Sequence, residues 1–374
     1  MTNGSMDNSF DTEKRNSKRV CFFMGSISGR GGTERVASII ANGLAARGYE
    51  IYILSLWEGL NPGFEFNRQI QLYELFSRCR AFKWHYINVI VKLRRFLKKH
   101  RIDILIATDS ILSLFAIPAC VNLRIFHIVW EHFNFLTDFK LYSRRLSRYF
   151  AARWSDVIVV LTQQDLQFWN KKVSGRARII SIPNPITYPL ADPADRTWNN
   201  KLAIAVGRLN YQKGFDLLIQ CWKKVSASSP EWKLYIIGEG EDETLLANLI
   251  HQEDLDKIIE ILPFHHNISD YYKKASIFCL SSRFEGLPMV LLEAQAFALP
   301  AVCFDCYTGP AEVITDGENG FIVPDKDVDA FTAKVIQLTH EPELREAMGL
   351  KALSRASEFR QENILNRWEV LLQG

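Results

Sequence analysis

Short apolar runs alternate with amphipathic stretches along nearly the whole chain. The run "RVCFFMGSIS" (19–28) passes through a glycine loop into "TERVASIIANGLAARG" (33–48), where Val36, Ile39, Ile40 and Leu44 share one face at helical spacing. "YEIYILSLW", the basic helical stretch "YINVIVKLRRFLKKH" and the strands "IDILIATD", "RIFHIVWEH" and "SDVIVVLT" follow. The prolines of "RIISIPNPI" and the polar stretch 187–200 read as a linker, after which the scheme repeats. "KLAIAVGR" predicts a strand, "GFDLLIQCWKKV" a helix, "WKLYIIGEG" a strand and "DETLLANLIHQ" a helix. The strands "KIIEILPF", "ASIFCLSS" and "PAVCFD" come next, and three helical segments close the chain from about 327 to 373. Such alternation predicts an α/β protein with two parallel, doubly wound, Rossmann-like lobes and a cleft between them. Ligands of such sheets bind beyond the carboxyl ends of the strands, so the loops there carry the candidate chemistry.

Composition narrows the class. A chain of 374 residues suits two domains, and 48% hydrophobic with 23% charged residues is an ordinary globular balance. Residues 1–17 are polar and lack an apolar segment, which predicts a disordered tail and not a signal peptide. The stretch 111–130 is interrupted by Pro118, Asn122 and Arg124, which argues against a spanning helix. The seven cysteines are scattered, and Cys303 and Cys306 form a lone C-x-x-C with no second pair or His cluster. They read as reduced structural thiols of a cytosolic protein, with no metal site. Charge is uneven: residues 1–190 hold 27 Lys and Arg against 14 Asp and Glu, net +13, whereas residues 191–374 hold 18 against 28, net −10. The basic half is expected to face something anionic. No helix-turn-helix, zinc-finger or RNA-binding signature accompanies it, so nucleic acid is not expected as a partner.

Five loops at strand ends hold the candidate chemistry. In "SSRFEGLPMVLLEAQAFALP" (281–300), Glu285 and Glu293 interrupt an apolar run. A buried, unpaired charge costs several kcal/mol or neutralises, so these carboxylates either pair within the fold, with Arg283 or a lysine, or meet a ligand. Pro288 suits the first position of a helix reaching about residue 298. The N–H groups of Pro288's successors Met289, Val290 and Leu291 would then offer a phosphate site. Glu293, between one and two turns in, is placed to accept two hydrogen bonds from a vicinal diol. In "VGRLNYQKGF" (206–215), Arg208 and Lys213 are cations on one strand-end loop; they suit a diphosphate or are simply solvated. "SISGRGGTER" (26–35) opens a helix but is neither G-x-G-x-x-G nor a phosphate-binding P-loop. Gly31 and Gly32 there allow close backbone approach or merely a tight turn. "WEHFNF" (130–135) carries His132 beside Glu131, and "DCYTGPAEVI" (305–314) carries Gly309.

These motifs together resemble those of the retaining GT-B glycosyltransferases of family 4, whose signature is E-x7-E. The resemblance runs from about residue 19 onward: GG-x-E-R, G-R-x4-K-G-x-D, E-G-L-P-x5-E-A, G-P-x-E and D-G-x-N-G-F-I-V. It implies that Arg208 and Lys213 hold a diphosphate, that Glu293 holds the ribose diol and that Glu285 touches the donor sugar. It also implies that Gly31 and Gly32 approach the β-phosphate and that His132 lies beside the donor sugar. Phe264, His265 and His266 fall near the expected base pocket, where the usual glycine is replaced, and Ala298-Leu299 stands where a glycine is common. The implied architecture is an acceptor-binding lobe over 18–190, a nucleotide-sugar lobe over 191–358, and a segment 359–374 returning to the first lobe.

The function this implies is metal-independent, retaining transfer of a hexose or N-acetylhexosamine from a nucleotide sugar, a UDP-sugar, with no further cofactor. The expected acceptor is a lipid-linked saccharide of bacterial surface-polysaccharide synthesis. The enzyme would sit peripherally on the anionic cytoplasmic face of the membrane, through basic stretches 78–101 and 140–154. A sugar-nucleotide epimerase, a transferase using a soluble acceptor and a nucleotide-sugar-binding regulator are the alternatives. A dinucleotide dehydrogenase lacks its glycine fingerprint.

Overall fold

The computed structural model describes residues 18–78, 82–137, 141–264 and 267–373. The tail 1–17 and the pair His265 and His266 lie outside the described residues. The chain begins β1 (Arg19–Met24), α1 (Gly32–Ala46), β2 (Glu50–Trp57), β3 (Gln71–Phe76), α2 (Phe82–Lys99) and β4 (Ile104–Ala107). It continues α3 (Ser113–Cys120), β5 (Phe126–Trp130), α4 (Tyr142–Trp154), β6 (Val157–Val160), α5 (Gln163–Lys172) and β7 (Arg178–Ser181). These strands form one sheet in the order β3-β2-β1-β4-β5-β6-β7, every pairing parallel.

A second sheet starts with β8 (Leu202–Val206), α6 (Phe215–Ser228), β9 (Lys233–Ile237), α7 (Glu243–Gln252) and β10 (Ile259–Leu262). Then come α8 (Ile268–Lys274), β11 (Ile277–Leu280), α9 (Met289–Ala296), β12 (Ala301–Phe304), α10 (Pro310–Val313) and β13 (Gly320–Val323). Its order is β10-β9-β8-β11-β12-β13, again all parallel. The chain closes on α11 (Val328–His340), α12 (Pro342–Ser357) and α13 (Gln361–Gln373).

The expected pair of doubly wound lobes is thus present. Central strands are apolar on both faces because helices cover both; β4, β6, β11 and β12 are buried throughout. The mixed, half-polar β3 did not register as a strand in the sequence because it lies at the edge and packs on one side. Helix α13 returns to the first lobe: Leu365 packs so tightly under Gly43 of α1 that a Cβ there would lie 2.4 Å from Leu365 Cδ1. Trp368 meets Trp130 edge-on at 4.8 Å, and Arg47 pairs with Glu369 at 3.0 Å.

Sheet order reverses between β1 and β4 in the first lobe, and between β8 and β11 in the second. At such a switch point the adjoining loops diverge to opposite faces and leave a crevice. The loops after β1, β8 and β11 are the three richest in the expected motifs.

Helix α4 is amphipathic in an inverted sense. Arg144 and Arg148 are buried, while Tyr142 is 79% exposed, Tyr149 52% and Leu146 40%. The arginines turn inward because carboxylates await them, the part-buried Asp109 and the fully buried Glu131: Arg144 binds Asp109 at 2.8 Å, and both approach Glu131 at 3.6 Å. The basic stretch therefore splits its roles, and the outward face of the helix carries Tyr142, Leu146 and Tyr149 beside Arg145 and Arg153.

Candidate active site

The site is built where α1 and α9 point their amino-terminal ends at each other across the cleft. A Cβ on Gly32 would lie 3.6 Å from Met289 Cγ, and Arg35 Nη1 reaches Glu293 Oε1 at 2.7 Å. Gly31 is the residue before α1, and the Glu34 carboxylate folds back over it. Helix α9 spans Met289–Ala296, shorter than the expected reach to 298. Pro288 precedes the helix with ψ 98°, so the proline is its cap and not its first turn. The far end stops because Ala298 takes φ 55°, a left-handed conformation that a glycine would adopt without strain.

Of the three residues expected to offer N–H groups, Leu291 donates to Pro288 O at 3.0 Å, and Pro288 itself has no N–H. The Leu291 side chain is fully buried. Leu291 is therefore part of the core and of the helix's own first turn, not of the binding surface. Met289 and Val290 keep the outward N–H groups, and the Met289 thioether accepts from Asn184 at 3.5 Å.

On the facing loop of β8, Lys213 packs over Gly207, and its Nζ donates to Glu285 Oε1 at 2.7 Å. Ser282 Oγ donates to the same carboxylate oxygen at 2.7 Å. Arg208 is exposed and forms no ion pair among the described residues. Two glycines hold this corner: a Cβ on Gly238 would meet Gly207 O at 1.8 Å, and one on Gly214 would meet Ser281 O at 2.2 Å.

Both glutamates of the 281–300 motif are thus paired. Glu285 takes Lys213, as one sequence alternative held; Arg283 instead binds Asp216 with both nitrogens, at 2.8 and 2.6 Å. Glu293 is 5% exposed and satisfied on both oxygens. Oε1 accepts from Arg35 and from Thr187 Oγ1 at 2.6 Å, and Oε2 accepts from Tyr272 at 3.0 Å. Burial together with that carboxylate drives the Tyr272 hydroxyl well above its ordinary pKa, so it stays a donor.

His132 and Glu131 separate cleanly. Glu131 is fully buried inside the first lobe, between Arg144 and Arg148, and accepts from its own loop at Phe133 N, 3.1 Å. His132 turns the other way, its ring 4.5 Å from that of Trp130 and its Nε2 without a partner. Burial lowers its pKa to about 3, so it is neutral at physiological pH. The loop carrying it is pinned from behind: Arg148 donates to the carbonyls of Asn134 and Thr137 at 2.9 and 2.8 Å, and to that of Phe135. It is pinned from in front by Asn134, whose amide donates across the cleft to Glu285 O at 2.7 Å. The lobes touch there, since a Cβ on Gly286 would lie 2.3 Å from His132 O. Thr308 completes the junction by donating to the same Glu285 carbonyl, and Gly309 takes φ 98° beside Pro288.

Sequence reasoning missed Arg35, Asn134, Thr187 and Tyr272. Only Arg35 had a signal, its place in the GG-x-E-R loop; the others are joined to the site by the fold alone. Phe264, at the expected base pocket, is half exposed, and its neighbours His265 and His266 lie outside the described residues. Cys303 and Cys306 are buried thiols with pKa values raised by burial, and no metal-ligand cluster occurs among the described residues.

Comparison with known proteins agrees with this architecture. Residues 30–188 match the family described as Glycosyltransferase Family 4, and residues 193–355 match Glycosyl transferases group 1. An uncharacterized glycosyltransferase of Haemophilus influenzae is 35% identical over 355 residues, covering 95% of this chain and 100% of the relative. The amylovoran biosynthesis glycosyltransferase AmsD of Erwinia amylovora is 32% identical over 363 residues, covering 95% and 99%. A Campylobacter jejuni N-acetyl-D-galactosaminyltransferase, named for a saccharide acceptor on PP-undecaprenol, is 23% identical over 360 residues, covering 95% and 98%. In three dimensions the sucrose-phosphate synthase of Thermosynechococcus elongatus superposes with TM-score 0.81 at 15% identity, covering 95% and 98%. That likeness concerns the fold.

Proposed function

The chain belongs to the group 1 glycosyl transferases with a family 4 amino-terminal half, and on that premise we propose that it moves a hexose or N-acetylhexosamine from a UDP-sugar to a lipid-linked saccharide, with retention of configuration. The observation that carries this reading is the convergence of Lys213, Glu285 and the start of α9 at one end of the cleft. The exposed Arg208 sits on the same loop as Lys213. A diphosphate entering there meets a guanidinium, an ammonium and two outward N–H groups at a helix start.

The chemistry follows from charge. As the sugar–phosphate bond breaks, negative charge grows on the diphosphate, and fixed cations and N–H dipoles stabilise that state more than the ground state. Side-chain cations supply the neutralisation, so turnover survives EDTA. The neutral His132, buried against Trp130, offers a hydrogen-bonding ring nitrogen to the sugar without bringing a second positive charge. Glu285 holds Lys213 in place and borders the same space. In a retaining displacement the diphosphate oxygen takes the acceptor hydroxyl's proton as that hydroxyl attacks on the same face of the sugar. The bond to the leaving oxygen breaks while the new glycosidic bond forms, and the proton leaves with the nucleoside diphosphate.

The acceptor side of the reading rests on the net charge of +13 over residues 1–190 and on helix α4, whose outward mix of aromatic, aliphatic and basic residues suits the interfacial region of an anionic bilayer. The name of the Campylobacter relative supports a lipid-linked saccharide in that position. No helix among the described residues is long and apolar enough to cross a membrane.

The test is a thermal-shift panel of UDP-, GDP- and ADP-sugars. A ligand at a hundred times its Kd stabilises by about 2.7 kcal/mol, enough for a clear rise in Tm. The UDP-sugars should give that rise, and no response to any member of the panel would end the proposal.

A further inference from the structure

Among the described residues, Arg35 is the one charged residue of the first lobe whose ion pair is made to the proposed donor-binding helix. Its guanidinium stacks over the Tyr188 ring at 4.7 Å and donates to Glu293 Oε1 at 2.7 Å, where Thr187 donates as well. That carboxylate oxygen has both lone-pair positions taken, and Oε2 receives Tyr272. A ribose diol needs one acceptor on each oxygen, so one donor must leave Oε1. Thr187 belongs to the linker and Tyr272 is fully buried, whereas the Arg35 side chain is 25% exposed and faces the cleft. Arg35 is the donor free to move.

The guanidinium also has a place to go. It projects from the first turn of α1, and Gly32 of that turn lies against Met289 at the start of α9. Four residues separate Met289 from Glu293, about 6 Å along a helix axis at 1.5 Å per residue. A diphosphate at the α9 start would therefore lie within one side-chain swing of the released cation. We propose that Arg35 is a switch cation that exchanges the Glu293 carboxylate for the diphosphate when a nucleoside diphosphate binds. Ribose binding would expel it, phosphate binding would capture it, and the exchange would draw α1 of the first lobe onto the donor. This rests on the reading of Glu293 as the ribose ligand and of the α9 start as the diphosphate site.

The exchange makes nucleoside and nucleotide respond in opposite directions. A nucleoside must break the Arg35–Glu293 pair and gives the cation nothing in return; a nucleoside diphosphate replaces the partner. Calorimetric titration of wild type and Arg35→Gln with uridine, UDP, guanosine, GDP, adenosine and ADP reads this directly. For the base that wild type accepts, Arg35→Gln should bind the diphosphate about ten- to a hundredfold more weakly, the worth of a charge-assisted hydrogen bond. It should bind the nucleoside more tightly than wild type. Arg35→Lys, which keeps the charge, should restore most of the diphosphate affinity. Affinities that shift in the same direction for both ligands, or do not shift, overturn the switch and leave the donor site standing. If wild type binds none of the three diphosphates, the donor site itself is wrong and the switch falls with it.

Discussion

Replacing Gly286 by alanine isolates the contact between the lobes. Gly286 does not occupy the left-handed region, so alanine suits its backbone, and the only obstacle is across the cleft. A Cβ there would lie 2.3 Å from His132 O and 3.8 Å from Phe133 Cα. Carbon and carbonyl oxygen come no closer than about 3.3 Å even in a favourable C–H···O contact, so the two loops must part by about 1 Å. The Asn134 bond to Glu285 O, now 2.7 Å, would then stretch beyond hydrogen-bonding range, and His132 would draw back from Glu285 and Lys213. A displacement of about 1 Å at a reacting centre costs about a hundredfold in rate. Neither lobe's core is touched, so Tm should stay within about 3 °C. Gly25→Ala, where a Cβ meets nothing within 4 Å, is the control and should leave both quantities unchanged. The assay is initial-rate release of nucleoside diphosphate in the presence of acceptor, with Tm on the same samples. A Gly286→Ala enzyme with kcat within twofold of wild type would refute the claim that the closed junction positions the chemistry.

Glu293→Gln should lose nucleotide affinity and also cost about 1–3 kcal/mol of stability in urea titration, since it breaks a part-buried pair to Arg35; unchanged stability would contradict the bridging role. Burial raises the Asp165 pKa from 3.8 to about 7, so the folded chain holds a proton there that the unfolded chain has lost; stability contributed by that proton falls as pH rises through this window. Asp165→Asn should accordingly gain stability relative to wild type at pH 8 compared with pH 5, and parallel urea midpoints at the two pH values would count against it. In vesicle co-sedimentation, wild type should bind anionic liposomes at low salt. Exchanging Arg95, Lys98 and Lys99 for glutamine should weaken this by about a hundredfold, at roughly 1 kcal/mol per basic residue. Arg94 is excluded from that set because it donates to Ala119 O and Val121 O and holds the end of α3; equal binding by the variant would dismiss the membrane surface.

The alternation of apolar and amphipathic runs was enough to foresee both lobes, because buried parallel strands leave an unbroken hydrophobic trace and helices an amphipathic one. The edge strand β3 escaped, being half polar on a single packed side. In the site, residues within one local motif were legible: Lys213 and Glu285 stand in loops whose glycines and prolines mark strand ends. The partners of Glu293 were not, since Arg35, Thr187 and Tyr272 come from three separate segments and meet only because the two sheets face each other. Leu291 misled because its position in a helix start suggests a free N–H, whereas the extended Pro288 cap offers its carbonyl to that very group. Arg148 was hidden for a related reason: a basic stretch rich in aromatics reads as a surface, and only the buried Glu131 and the part-buried Asp109 explain why half of its arginines point inward.

The most direct test of the account follows the anomeric carbon. Wild-type protein incubated with an α-linked UDP-sugar and a polyprenyl-diphosphate-linked saccharide, monitored by proton NMR, should consume the donor, release UDP and produce an α-glycoside. A β-glycoside would contradict same-face displacement by the diphosphate. Donor left intact in the presence of that acceptor and of soluble saccharides alike would contradict the transferase reading itself.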